Sequence, residues 1–259
     1  MQDSIQQVQK FWDQRPCNLR HSSQEVGTRL YFDEVDSRRY LVEPHILNFA
    51  DFDKYQGLRV LELGCGIGTD AIRFAKAGAI YSGIELSAHS LSLAKQRFEI
   101  YGFEGQFILG NVENFSEIFS KGEFDLIYSF GVLHHTPSIR NALNSIASVA
   151  TKDTEIKIMV YATNSWKSAM IEAGLDQPEA QFGCPIANTY TKEEISQLFV
   201  DSGLAIKSIH QDHVFPYIIE DYLNYKYTMH PYFESMPPAV FAAVKARFGW
   251  HCLIQGNGL

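Results

Sequence analysis

The stretch Val60-Leu-Glu-Leu-Gly-Cys-Gly-Ile-Gly-Thr-Asp70 runs an apolar segment straight into three glycines spaced by two. Glycine lets the chain turn sharply, lets a ligand touch bare backbone, and lets the next helix begin close to a sheet. A ligand then sits on that helix N-terminus. Glu85 closes the following apolar segment, Ile80-Tyr-Ser-Gly-Ile-Glu85, at the tip of a second parallel strand. A carboxylate there accepts both hydroxyl protons of a ribose, and its charge opposes a 2′-phosphate, so an adenosine-type ligand is implied. The spacing is G-x-G-x-G with Glu62 ahead of Gly64, whereas the dinucleotide fingerprint is G-x-G-x-x-G.

A second set of reactive groups is histidine. His134 and His135 follow Val132-Leu133 after a fourth apolar segment, at the carboxyl edge where open α/β sheets bind ligands. Imidazole titrates near neutrality, so His135, with His134 as second choice, is a candidate general base. His210, His213 and His230 fall in an aromatic-rich stretch, but none has metal-ligand spacing. Cys17, Cys65, Cys184 and Cys252 lie far apart without C-x-x-C spacing. Neither a metal site nor a disulfide framework is expected.

From Leu58 to Val160 short apolar runs alternate with helical patterns, the mark of βαβ units and a parallel sheet. Strands are predicted at 58–63, 79–84, 105–110, 123–129 and 154–160. Helices fit at 69–77, 87–101, about 113–119 and 138–150, with Ser87 and Ser138 as N-caps and Gly78 and Gly102 as stops. Thr191-Lys-Glu-Glu opens a further helix with a capping-box pattern, Gly203 ends it, and LAIKSIHQ and WHCLIQ read as two more strands. Three segments stand outside this rhythm: 1–57, 161–190 and 211–248. The division predicted is an N-terminal helical cap over 1–57 and a catalytic domain over 58–259 carrying insertions at about 161–190 and 211–248. Such insertions beside a regular sheet are usually binding loops or lids.

Phe11, Trp12, Tyr31 and Tyr40 could form a helical flap over the ligand or simply pack in the core. Tyr31, His213 and Tyr217 are candidate linings of the substrate pocket. Arg15, Arg20, Arg29, Arg38 and Arg39 could clamp an acidic substrate or form an internally paired face. With 22 Lys plus Arg against 30 Asp plus Glu, the net charge of −8 disfavours a nucleic-acid partner. No apolar run is long enough for a membrane helix, and the first residues have neither a basic nor an apolar leader region, so a cytoplasmic protein without membrane association is expected.

The ordered set E-x-G-x-G-x-G from Glu62, Glu85, Gly110-Asn-Val-Glu113 and FDLIYSFGVLHHT resembles the class I S-adenosylmethionine-dependent methyltransferases over roughly residues 58–160. The resemblance implies a doubly wound, seven-stranded, mostly parallel Rossmann-like α/β sheet whose last strand, near 250–256, runs antiparallel. It implies S-adenosyl-L-methionine as cofactor and S-adenosyl-L-homocysteine as product. Gly64, Cys65, Gly66 and Gly68 would form the turn that holds the methionine end, with Glu62 near the ammonium. Glu85 would hold the ribose and Leu86 lie beside the adenine. Where the family usually has Asp, this chain has Asn111, so the contact to the adenine amino group would either be weaker from Asn111 or fall to the Val112 backbone and Glu113. Phe130 would offer its carbonyl to the methionine moiety, and His135 matches a place where some small-molecule enzymes carry a catalytic histidine. FWDQRPCNLRHS and MVYATNSW resemble stretches of natural-product and sugar tailoring enzymes, which implies a small-molecule or short-peptide acceptor methylated on oxygen or nitrogen. A nicotinamide-dependent oxidoreductase and a non-catalytic module that binds S-adenosylmethionine remain the alternatives.

Overall fold

Three helices, α1 (Gln2–Gln14), α2 (Arg29–Val42) and α3 (His45–Ala50), precede the first strand. Strand and helix then alternate through β1 (Arg59–Leu63), α4 (Thr69–Lys76), β2 (Ile80–Glu85), α5 (Ala88–Tyr101), β3 (Gln106–Leu109), β4 (Leu126–Phe130), α6 (Ile139–Val149) and β5 (Glu155–Tyr161). The chain continues through α7 (Trp166–Glu172), α8 (Lys192–Asp201), β6 (Leu204–Asp212), α9 (Ile219–Leu223), α10 (Pro231–Glu234), α11 (Pro238–Phe248) and β7 (His251–Gly258). The computed structural model describes residues 2–175 and 183–259. None of its described helices is long and apolar enough to cross a membrane.

The seven strands form one sheet in the order β3-β2-β1-β4-β5-β7-β6. The first five are parallel, and β7 pairs antiparallel with both β5 and β6. Strand order reverses between β1 and β4, the place where doubly wound sheets open a crevice at their carboxyl ends. Alternation along β1 divides the core: Leu61 and Leu63 join α6 and α8 on one face, while Val60 joins α3, α4 and α5 on the other. Glu62 lies on the Val60 face, so its carboxylate is buried on an apolar side of the sheet.

Local chemistry sets the element ends. Ser87 and Ser138 accept hydrogen bonds from Ser90 N and Asn141 N, and Thr191 with Glu194 forms the capping box expected there. The helix predicted at about 113–119 is instead one 3₁₀ turn, Phe115–Glu117. Asn111 Oδ1 accepts the Glu113 N–H, a local turn that competes with helix formation. Strand β4 begins at Leu126 rather than at 123. Strand β6 carries a bulge between Ile206 and Ser208, so Lys207 has no partner on β7.

The N-terminal segment is tied to the sheet layer by a buried cation. Arg97 of α5 is fully buried, and its Nη2 donates to Asp36 Oδ1 of α2 at 2.5 Å and to Phe32 O at 2.9 Å. Its Nη1 donates to Thr69 Oγ1 at 3.0 Å and to Ile67 O at 3.3 Å, in the chain that leaves the glycine turn. Burial pushes the Asp36 carboxyl up, and Arg97 opposes that shift. Removing one member of such a pair strands the other, so Arg97→Met is expected to lower unfolding free energy by about 3 to 5 kcal/mol. Urea denaturation checks this, and the double variant Arg97→Met/Asp36→Leu should recover much of the loss.

Candidate active site

The turn between β1 and α4 is pinned to the end of β2. Gly64 N and Cys65 N both donate to Ile84 O, at 2.8 and 3.2 Å. Gly64 has φ of 78°, and a Cβ there would lie 2.4 and 2.5 Å from the Val132 methyls, so both conformation and space demand glycine. Glu85 Oε2 accepts the Gly66 N–H at 2.8 Å, while its Oε1 accepts the Ser87 N–H at 2.8 Å. Burial pushes this carboxyl up, against the pull of those N–H donors.

Two further acids meet at the same edge. Glu62 Oε2 accepts from Tyr81 Oη at 2.6 Å, and burial together with Asp70 drives its pKa up to about 8. Asp70, in the first turn of α4, accepts from Tyr40 Oη at 2.7 Å and Tyr128 Oη at 2.8 Å, with Arg39 Nη2 at 3.5 Å. Asp70, Arg39, Tyr40 and Tyr128 were not singled out as one site by sequence reasoning. The only signal was an acid directly after the glycine turn, where a helix N-terminus favours negative charge.

Above these groups opens a cavity of about 1090 Å³, roofed by Ile5, Val8 and Trp12 of α1 and walled by Arg38 and Arg39 of α2. Helix α1 is seated by polar contacts: Gln9 Nε2 donates to Leu86 O at 3.0 Å, and Ser87 Oγ donates to Asp13 Oδ1 at 2.8 Å. Glu62, Gly64, Cys65, Gly66, Glu85, Leu86, Asn111, Val112 and Phe130 all border the cavity. Gly68 and Glu113 do not. Gly68 lies 3.2 Å, measured from an added Cβ, from Ala94 and so allows close packing of α5. The Glu113 carboxylate is turned away to accept the Ser138 N–H at 2.7 Å at the start of α6.

His135 borders the cavity and His134 does not. His135 Nδ1 lies 2.7 Å from Ile186 O, which makes Nδ1 the donor and leaves the lone pair on Nε2. Burial pulls its pKa down to about 4, below the near-neutral value a histidine base was expected to have. His134 is fully buried, 3.7 Å from the Tyr161 ring centroid, and neither of its ring nitrogens has a hydrogen-bond partner among the described residues.

The aromatic insertion contributes differently from the sequence expectation. His213 borders the cavity, but Tyr217 does not; Tyr217 bridges to Met229, and Phe215 and Tyr222 reach the cavity instead. Tyr31 is also absent from the wall. It is fully buried among Phe32, Val35, Ile67 and Leu93, with its hydroxyl donating to Leu19 O at 3.1 Å. Arg15, Arg20, Arg38 and Arg39 border the cavity, whereas Arg29 bonds Ile100 O on the outside. Arg38 is stacked 3.9 Å from the Tyr222 ring centroid and 4.4 Å from that of Tyr225.

Glu43, His45 and His251, none of them marked by the sequence, gather beside His213. Burial holds His213 and His251 well below the usual histidine range and His45 at about 3.

A family model described as a methyltransferase domain matches residues 54–203. The chain is 30% identical over 172 residues to the O-methyltransferase rstn1 of Aspergillus nomiae, covering 65% of each protein. It is 27% identical over 119 residues to the ubiquinone biosynthesis O-methyltransferase of Salmonella paratyphi A, covering 45% of this chain and 49% of that one. The chain thus spans about half to two-thirds of the length of these curated relatives. Among solved structures, the magnesium protoporphyrin IX methyltransferase of Synechocystis PCC 6803 with bound S-adenosylhomocysteine superposes with a TM-score of 0.61 at 16% identity, covering 99% of this chain and 100% of that one. That likeness is one of fold.

Glu62 yields a stability test. Its folded pKa, about 8, lies above the ordinary carboxyl value. As pH rises from the ordinary value towards 8, the unfolded chain ionises while the folded chain keeps its proton, so stability is lost across that window. Glu62→Gln keeps an acceptor for Tyr81 without the charge. Without ligand, its Tm is expected to match the parent near pH 5 and to exceed it near pH 8 by a few degrees, the equivalent of about 1 to 2 kcal/mol. Thermal scans across this pH range provide the check.

Proposed function

The chain belongs to the methyltransferase-domain family, in its class I S-adenosylmethionine-dependent branch, and from that membership we propose that it moves the methyl group of S-adenosyl-L-methionine onto an oxygen of a small acceptor. One observation carries this reading: a single cavity is bordered both by the Glu62, Gly64, Gly66 and Glu85 cradle and by the ring-lined wall of His135, Tyr161 and Trp250. A cavity of about 1090 Å³ exceeds the usual size for one drug-sized ligand, which suits a donor and an acceptor together. The O-methyltransferase relatives favour oxygen over nitrogen. In this reading residues 1–57 are the cap, and the remainder is the catalytic domain.

The cofactor's ammonium would meet Glu62 and restore the charge that burial suppresses. Its ribose would sit on Glu85, with Leu86, Asn111 and Val112 along the adenine and Phe130 near the methionine end. Methyl transfer is an in-line displacement, so alignment and water exclusion supply most of the rate. The acceptor oxygen bonds the methyl carbon as the carbon–sulfur bond breaks. The sulfonium becomes a thioether, S-adenosyl-L-homocysteine, and the acceptor a protonated ether or ester oxygen. That oxygen is far more acidic than a hydroxyl, so even an imidazole held at about 4 can take its proton. His135 Nε2 is the atom for this step, because Nδ1 is committed to Ile186 O.

Calorimetric titration with S-adenosylhomocysteine is expected to show one site, weakened by about 1 to 3 kcal/mol in Glu85→Gln. A response to a pyridine dinucleotide in its place would overturn the cofactor assignment. Once an acceptor is in hand, kcat should stay flat as pH falls from about 8 to about 5 and drop only towards 4, where His135 gains a proton. His135→Ala should lower kcat roughly 100-fold with S-adenosylhomocysteine affinity retained. Unchanged turnover removes it from the proton-accepting role.

A further inference from the structure

Glu43, His213 and His251 reach one part of the cavity wall from three separate elements: the end of α2, the exit of β6 and the start of β7. One ligand-capable atom from each lies within 4.8 Å of the others. His251 Nδ1 sits 2.8 Å from His45 Nε2, which leaves His251 Nε2 facing Glu43 Oε1 at 3.6 Å. The other Glu43 oxygen lies 3.7 Å from Arg39 Nη1, so the carboxylate is oriented from behind. His213 has φ of 71°, in the left-handed region that non-glycine residues rarely occupy, and its carbonyl is held by Trp250 N at 2.7 Å. That backbone turns the imidazole inward, 4.6 Å from the ring centroid of His251.

We propose that Glu43, His213 and His251 bind a divalent first-row transition-metal ion on the cavity wall. Ligand atoms around a tetrahedral ion with bonds of about 2.0 Å stand roughly 3.3 Å apart, so Glu43 and His251, 3.6 Å apart, need only slight closure, while His213, whose ligand atom lies within 4.8 Å of theirs, must swing out of its stack on His251 to complete the set. Two imidazoles and one carboxylate suit zinc, iron or cobalt, whereas magnesium and calcium take oxygen ligands. His45 fills the place of the hydrogen-bonding partner that fixes a ligating imidazole. Three protein ligands leave the ion's remaining positions turned to the cavity, open to water or to an oxygen of a bound small molecule. The site goes beyond the proposed methyl transfer and does not depend on it, because metal binding is read without turnover.

The test uses the full chain, stripped with chelator and titrated with cobalt(II), read by visible absorption and, with zinc, by calorimetry. One equivalent should bind with d–d bands of a low-coordinate site. His213→Ala and His251→Ala should abolish those bands, Glu43→Gln should weaken binding, and His45→Phe should weaken it roughly 10- to 100-fold. His89→Ala, a change at an exposed histidine, should leave binding unchanged. S-adenosylhomocysteine titration of each variant reports whether the fold and the cradle survive. If the parent protein takes up no cobalt, or if the bands persist in both alanine variants, the site does not exist. Loss of metal with S-adenosylhomocysteine binding intact supports the site, and loss of nucleoside binding alone counts only against the cofactor reading.

Discussion

One buried carboxylate organises the carboxyl edge of the sheet. Glu85 accepts a backbone N–H from the glycine turn on one oxygen and a backbone N–H from the start of α5 on the other. Both donors would otherwise be orphans at helix or turn ends, and a buried unpaired N–H is costly. The same few residues also seat the roof, since Leu86 O and Ser87 Oγ are the atoms on which α1 rests. Turn, helix start and roof therefore share a single anchor, and that anchor borders the cavity.

The acids around this anchor are held in a strained electrostatic state. Glu62, Asp70 and Glu85 are all buried, and the hydroxyls of Tyr40, Tyr81 and Tyr128 satisfy part of the hydrogen-bonding capacity of Glu62 and Asp70. Arg39 supplies a nearby positive charge, at 3.5 Å from Asp70. A ligand with a cationic end would relieve that imbalance.

What the sequence revealed, and what it hid, follows from the range of the forces involved. The alternation of β1 to β5, the caps at Ser87, Ser138 and Thr191, and the glycine turn are local patterns, readable because neighbours along the chain decide them. The 3₁₀ turn at Phe115–Glu117 escaped because an asparagine side chain outcompeted helix formation. Tyr31 and Tyr217 were expected at the pocket because they are aromatic, but residue type carries no direction; helix phase sends Tyr31 into the core. Glu113 was read as facing a ligand and is instead used at the start of α6. Asp70 with Tyr128, Arg97 with Asp36, and Glu43 with His251 depend on segments far apart in sequence, which periodicity cannot register.

The surplus residue in β6 has an effect at a distance. Every pairing beyond it, from Ser208 opposite Gln255 to Asp212 opposite His251, is set by Lys207 standing without a partner. Side chains alternate along a strand, so if Lys207 took a place in the ladder the remainder would slide by one step and exchange inward for outward. Lys207 lies about 20 Å along the chain from His213 on the cavity wall. At this exposed edge the bulge acts as a spacer that absorbs one surplus residue, so the inward aim of His213 survives an odd count in the strand that leads to it.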